Sequence, residues 1–270
     1  NSKSNQKQNK SEQIYETVKS TLMDQGVVFF GGYAVSLYSQ YMPPHLRKRL
    51  EKIPDFDVLA EDPLIVSQIV KERLQDIDVK DVKIIKRPAV GEIIAPHYEI
   101  RVGNDVVAFI YEPLACHSYN VLKQQGYTIK VATIDTMLSF YLAFLYSKRN
   151  YYDTERILCM AQFLFQVQQH NRLQQKGLLK RFSINCYGHQ QTLEEMRAEK
   201  SEKYKELRDK PNDPEYHQFF MKYRPADKPR KQNKTQKIEK TGKTAETKKT
   251  KNMRRSNKKH SKTKKAGIFF

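Results

Sequence analysis

No run of apolar residues in this chain of 270 approaches the ~18 needed to cross a bilayer. The polar start, Asn1 to Lys10, lacks the apolar core of a secretory signal. Cysteine is scarce: Cys116, Cys159 and Cys186 are widely spaced and odd in number, with no CxxC pair or Cys/His cluster. That pattern argues against a zinc module and predicts free thiols in a reducing, intracellular compartment. No internal repeat is visible, and the chain does not open on Met, as expected of a piece of a longer protein.

What is abundant is positive charge, unevenly placed. Of the formal +19, a net +15 falls between Lys228 and Lys265, where seventeen Lys or Arg face only Glu239 and Glu246. The rest is a mildly basic body of +4. Such a tail suits nonspecific contact with nucleic-acid phosphates, with steep salt dependence. Arg254-Arg255 and Lys258-Lys259 also fit a nuclear-localisation patch, and a solubilising tail is the plainer alternative.

Composition and periodicity divide the chain into four segments: 1–10 disordered, 11–126 a sheet domain, 127–225 a helical domain, and 226–270 a disordered basic tail. A helix is predicted over Ser11–Asp24, a strand over Val27–Phe30 and a helix over Tyr33–Tyr41, stopped by Pro43-Pro44. Basic residues Arg47, Lys48, Arg49 and Lys52 crowd the next connection. A strand follows over Ile53–Ala60, then a helix over Pro63–Leu74 and a strand over Val82–Ile85. His97–Val102 and Asp105–Glu112 alternate with period two around Gly103-Asn104, a hairpin signal. Helices are predicted over Ile134–Tyr146, Tyr152–Gln169 and Gln191–Asp209. The fold class is α+β, a mixed sheet with flanking helices.

Gly31-Gly32 closes the run Val27–Phe30, and Asp55-Phe56-Asp57-Val58 sits on the next strand. A glycine turn at a helix N-terminus suits phosphate binding. Aspartates two apart on a strand share a face and could hold divalent metal. The alternative is a tight turn beside an exposed edge. Two-metal transfer normally needs a third carboxylate. With a two-residue turn at Gly103-Asn104, Glu99 lies across from Ala108, making Glu99 one candidate and Glu112 another; an Arg101–Glu99 surface pair, with Glu112 ending the strand, is the equally plain alternative. Ser118, Tyr119, Asn120 and Lys123 are candidates for a nucleotide's sugar or base, with a packed turn as the alternative.

VVFFGGYAVSLY at 27–38, PDFDVLAEDP at 54–63 and VVAFIYEPLACHSYN at 106–120 resemble the DNA polymerase β-like nucleotidyltransferases. The likeness is greatest to the poly(A) polymerase catalytic subunits of poxviruses and other nucleocytoplasmic large DNA viruses. IDTMLSFYLAFLY at 134–146, YYDTERILCMAQFLF at 151–165 and GLLKRFSINCYG at 177–188 extend it over roughly residues 15–225. The resemblance implies a nucleotidyltransferase-like sheet and template-independent addition of adenylate from ATP to RNA 3′ ends, with Mg²⁺ or Mn²⁺. Gly31 and Gly32 would hold the triphosphate, and Asp55 and Asp57 the metal. It implies a virion or a cytoplasmic viral factory as the setting, and a homodimer or another polymerase half as partner. Tyr33 stands where the family commonly has Ser or Thr, the gap from Gly32 to Asp55 is long, and the family's third aspartate falls at about Ala108. The resemblance is also compatible with a non-catalytic half of a longer enzyme, serving RNA binding or dimerisation.

Overall fold

The computed structural model describes residues 2–47 and 55–220, and the described part lies in one compact unit, Asn1–Tyr223. The basic residues Lys48, Arg49 and Lys52, the strand start at Ile53 and the tail 226–270 lie outside the described residues.

Strands β1 (Val28–Phe30), β2 (Phe56–Leu59), β3 (Val82–Arg87), β4 (His97–Val102), β5 (Asp105–Tyr111), β6 (His117–Gln124), β7 (Tyr127–Ala132) and β8 (Cys186–Tyr187) form one mixed sheet. Their order is β3-β4-β5-β2-β1-β7-β6-β8. The centre is short and mostly buried: β1 pairs antiparallel with β2 and parallel with β7, and β2 pairs parallel with β5. Its Val, Phe and Leu side chains are apolar on both faces, as a strand covered on both sides requires. The sheet therefore runs on past residue 126, because β7 completes the pairing of β1.

Helices cover both faces. α1 (Ser2–Asp24) and α3 (Pro63–Asp76) pack together, and Tyr15 of α1 stacks on Phe56 at 4.9 Å. α1 begins at Ser2, nine positions before the expected cap at Ser11. The Lys, Gln and Ser of residues 2–10 continue a helix already nucleated by the packed segment behind them. On the other face lie α4 (Ile134–Ser147) and α5 (Thr154–His170), with Phe140 and Tyr152 meeting Phe30 and Phe144. α2 (Gly31–Tyr38) leads from β1 towards α5. Two further helices, α6 (Leu193–Leu207) and α7 (Pro214–Phe219), carry a small cluster of Leu207, Tyr216 and Phe219. Local signals set the helix starts: Asp62 caps α3 ahead of Pro63, Thr133 caps α4, and Thr192 with Glu195 forms a capping box on α6.

The hairpin turn at Gly103-Asn104 is present, with Val102 paired to Asp105 and Arg101 to Val106. A bulge between Ile100 and Arg101 then shifts the register by one residue. Ala108 faces Ile100, and Glu99 faces Phe109. The expected Glu99–Ala108 pairing is corrected by that single extra residue.

The cysteine expectation is also corrected. Cys116 and Cys186 form a disulfide, with Cα atoms 5.2 Å apart. β6 and β8 pair as neighbours, Ser118 against Cys186, which brings together two residues that 70 positions separate. Cys159 is not part of a disulfide. Among the described residues no helix is long and apolar enough to cross a membrane.

Candidate active site

β1 turns into α2 at Gly31, whose φ of +76° and position against β2 leave no room for a side chain. A Cβ there would lie 1.9 Å from Asp57 Oδ2. The Asp57 carboxylate thus presses on the first residue of α2, where the helix dipole favours negative charge. Gly32 is buried in the same turn. Of the two aspartates, Asp57 is the one that lies against the turn.

The third carboxylate does not arrive. β2 and β5 pair in parallel with Asp57 beside Phe109 and Phe56 beside Ala108, so Ala108 belongs to the opposite face. The position flanking Asp57 is Phe109. Glu99 shares that face one strand further out, yet it is 1% exposed and held by Arg87 Nη2 at 2.6 Å and by Arg101. Burial raises its proton affinity, but the hydrogen bonds and charges of Arg101 and Arg87 outweigh this and hold its carboxyl below the usual range. Glu99 is an ion-paired core residue. Glu112 follows β5 at the end beside Ala60, where Ala60 N donates to Tyr111 O. Because the two strands are parallel, that is the end away from Asp55.

A cation instead sits at the aspartates. Asp153 caps α5, accepting from Arg156 N, and Arg156 in that first turn donates from Nη2 to Asp55 Oδ1 at 3.0 Å. Tyr141, Tyr151, Tyr152, Phe109 and Phe144 line an open pocket of about 80 Å³ around them. A pocket for a small-molecule ligand is roughly 300 Å³ or more. Enclosure among these rings, then the charge of Asp55, raise the Asp57 pKa well above 3.8, with Arg156 opposing. Asp57→Asn is therefore expected to stabilise the fold by about 1–2 kcal/mol. A group with a raised folded pKa favours folding most below its unfolded value, and that help is lost as pH rises through the folded pKa. The gain should accordingly be larger at about pH 7 than near pH 4. Chemical denaturation at the two pH values checks both the sign and the ordering.

A two-metal centre does not fit these residues. Two carboxylates remain, and one of them is bound to a guanidinium. Among the described residues no group of three His, Cys, Asp or Glu is placed to hold a metal. Sequence reasoning gave Arg156 and the Tyr151-Tyr152 pair no role, although they fall in the stretch 151–165 that carries the resemblance; the cap Asp153 starting an amphipathic helix does not say what the helix faces.

The remaining candidates lie three strands away on β6 and serve the fold. Asn120 is buried and donates to Leu178 O at 3.2 Å and Lys180 O at 2.8 Å. Tyr119 lies under Lys130 Nζ at 5.6 Å and accepts from Ser183 Oγ through its carbonyl. Ser118 O accepts from Thr133 N, and Lys123 is exposed on the same strand. None is brought to Asp55 or Asp57.

No protein-family model matches the chain, and no curated protein matches it. Among solved structures, three align with it at low identity. The Megavirus polyadenylate synthase aligns at 16% identity and TM-score 0.44, over 57% of this chain and 31% of that one. An antigenic nucleotidyltransferase-like protein from Paracoccidioides brasiliensis aligns at 14% and 0.34, over 58% and 76%. The antibiotic-resistance factor ANT(2'')-Ia aligns at 10% and 0.36, over 73% and 94%. The chain spans about a third of the Megavirus protein's length.

Proposed function

We propose that this chain is a non-catalytic nucleotidyltransferase-like module of a polyadenylating machinery, one that holds RNA and does not itself transfer adenylate. The observation that carries the reading is the Arg156–Asp55 ion pair beside Phe109, which puts a cation and a ring where metal transfer needs oxygen ligands. The polyadenylating context rests on the sequence resemblance, and the RNA partner on the polycationic tail between Lys228 and Lys265.

The test is extension of an oligo(A) primer with ATP and Mn²⁺, comparing the wild-type chain with Asp55→Ala/Asp57→Ala. Neither protein should extend the primer above the enzyme-free background. Extension by the wild type that the double substitution abolishes would restore the catalytic reading. The same RNA, labelled and titrated without ATP, should bind with a steep salt dependence.

A further inference from the structure

A cleft of about 380 Å³ lies far along the sheet from the aspartates, between the start of α4, the end of α5 and the connection 171–181. Its lining is mainly cations and amides: Arg172, Lys180 and Arg181 with Gln168, Asn171 and Gln175, against one carboxylate, Asp135. Asp135 is already taken, by Arg181 Nη2 at 3.5 Å and Gln168 Nε2 at 3.4 Å. Arg172 and Lys180 make no ion pair with any described residue, so the cleft is net positive.

The connection that builds it is held from several sides. Asn171 Nδ2 donates to Tyr41 O at 3.1 Å and Leu178 N to the Tyr41 hydroxyl at 3.2 Å. Arg181 N donates to Gln175 Oε1 at 3.1 Å, and Asn120 clamps Leu178 and Lys180 from β6. Such fixing lowers the entropy lost when a ligand binds. Beside the cleft, Phe182 is 90% exposed, with the Arg181 guanidinium 6.0 Å from its ring centre. A second hollow lined by Lys180, Gln175 and Phe182 continues the surface.

We infer that this cleft takes single-stranded RNA, with a base stacked on Phe182 and its edge read by the amides, while Arg172 and Lys180 meet the phosphates. Aromatic platforms flanked by cations bind unpaired strands, and Asn and Gln amides pair with adenine edges. The cation excess and amide lining favour RNA over a protein partner, which would leave these donors to be matched one by one. The inference rests on the RNA-holding reading and places its strand on the folded body, apart from the tail.

The test uses the full chain and a labelled oligo(A) at about 0.3 M salt, where phosphate contacts of the tail are weakened. Phe182→Ala with Arg172→Gln and Lys180→Gln should weaken binding about tenfold while leaving the thermal midpoint unchanged, since all three side chains are exposed. RNA carrying 4-thiouridine should crosslink within residues 172–184. Unchanged affinity, with crosslinks confined to 228–265, would overturn the cleft and leave RNA holding in place; the exposed Phe182 would then belong to a protein partner. A wild-type chain that binds no RNA would overturn both.

Discussion

Gly31→Ala is expected to cost about 2–4 kcal/mol of stability. Two separate penalties combine there. The φ of +76° puts an L side chain in the left-handed region, and the new Cβ would fall 1.9 Å from Asp57 Oδ2 and 2.7 Å from its Cγ. Relief would require the carboxylate to leave its place against the turn. Gly126→Ala separates the two terms. Its φ is +82°, but nothing lies within 4 Å of a Cβ there, so only the backbone penalty of about 1 kcal/mol applies. Urea unfolding of the two variants should give clearly unequal losses. Equal losses would mean that Asp57 does not press on the turn.

Glu99→Ala should cost about 2–3 kcal/mol, through the loss of two charge-assisted hydrogen bonds in a buried site. The figure stays below the usual range for breaking a buried pair because Arg87 and Arg101 are each about one third exposed and can turn to water. Glu99→Gln should cost less, since it keeps the shape and one acceptor. The direction separates the two roles that sequence left open. A carboxylate kept for a metal is commonly a strain on the fold, and removing it stabilises; a carboxylate kept for two arginines does the reverse. Because the folded pKa of Glu99 is lowered, its contribution is present above the unfolded value of 4.5 and fades as pH falls through the folded one. The difference between wild type and Glu99→Ala should therefore shrink in acid.

Much of this site was legible before any coordinates. Val27–Phe30 ending in two glycines, and alternation around Gly103-Asn104, are local patterns, and local patterns fix strands and turns. Asp57 falls on the expected strand, while Asp55 lies just before it. What escaped was decided between distant segments. The bulge at Ile100 and Arg101 changes which residue of β5 faces Glu99, yet leaves the alternation of His97–Val102 intact. Arg156 reaches Asp55 across 101 positions, from a helix whose pattern shows that it is amphipathic and nothing more. The Cys116–Cys186 disulfide depends on β6 and β8 becoming neighbours, which spacing cannot reveal. Residues 127–132 read as the threshold of a helical half, although they are the strand that closes the sheet's centre.

That last strand bears on how the chain must be made. β1 is three residues long and waits for a partner about a hundred positions downstream, and contacts so distant in sequence are slow to form. Until β7 has left the ribosome, one edge of Val28–Phe30 stays unpaired, and an apolar unpaired edge recruits other chains. A fragment cut at 126 would carry that edge permanently and should aggregate, whereas one ending beyond Ala132 would at least supply its own partner. The sheet's centre is thus assembled late, about a hundred residues after its first strand has been synthesised.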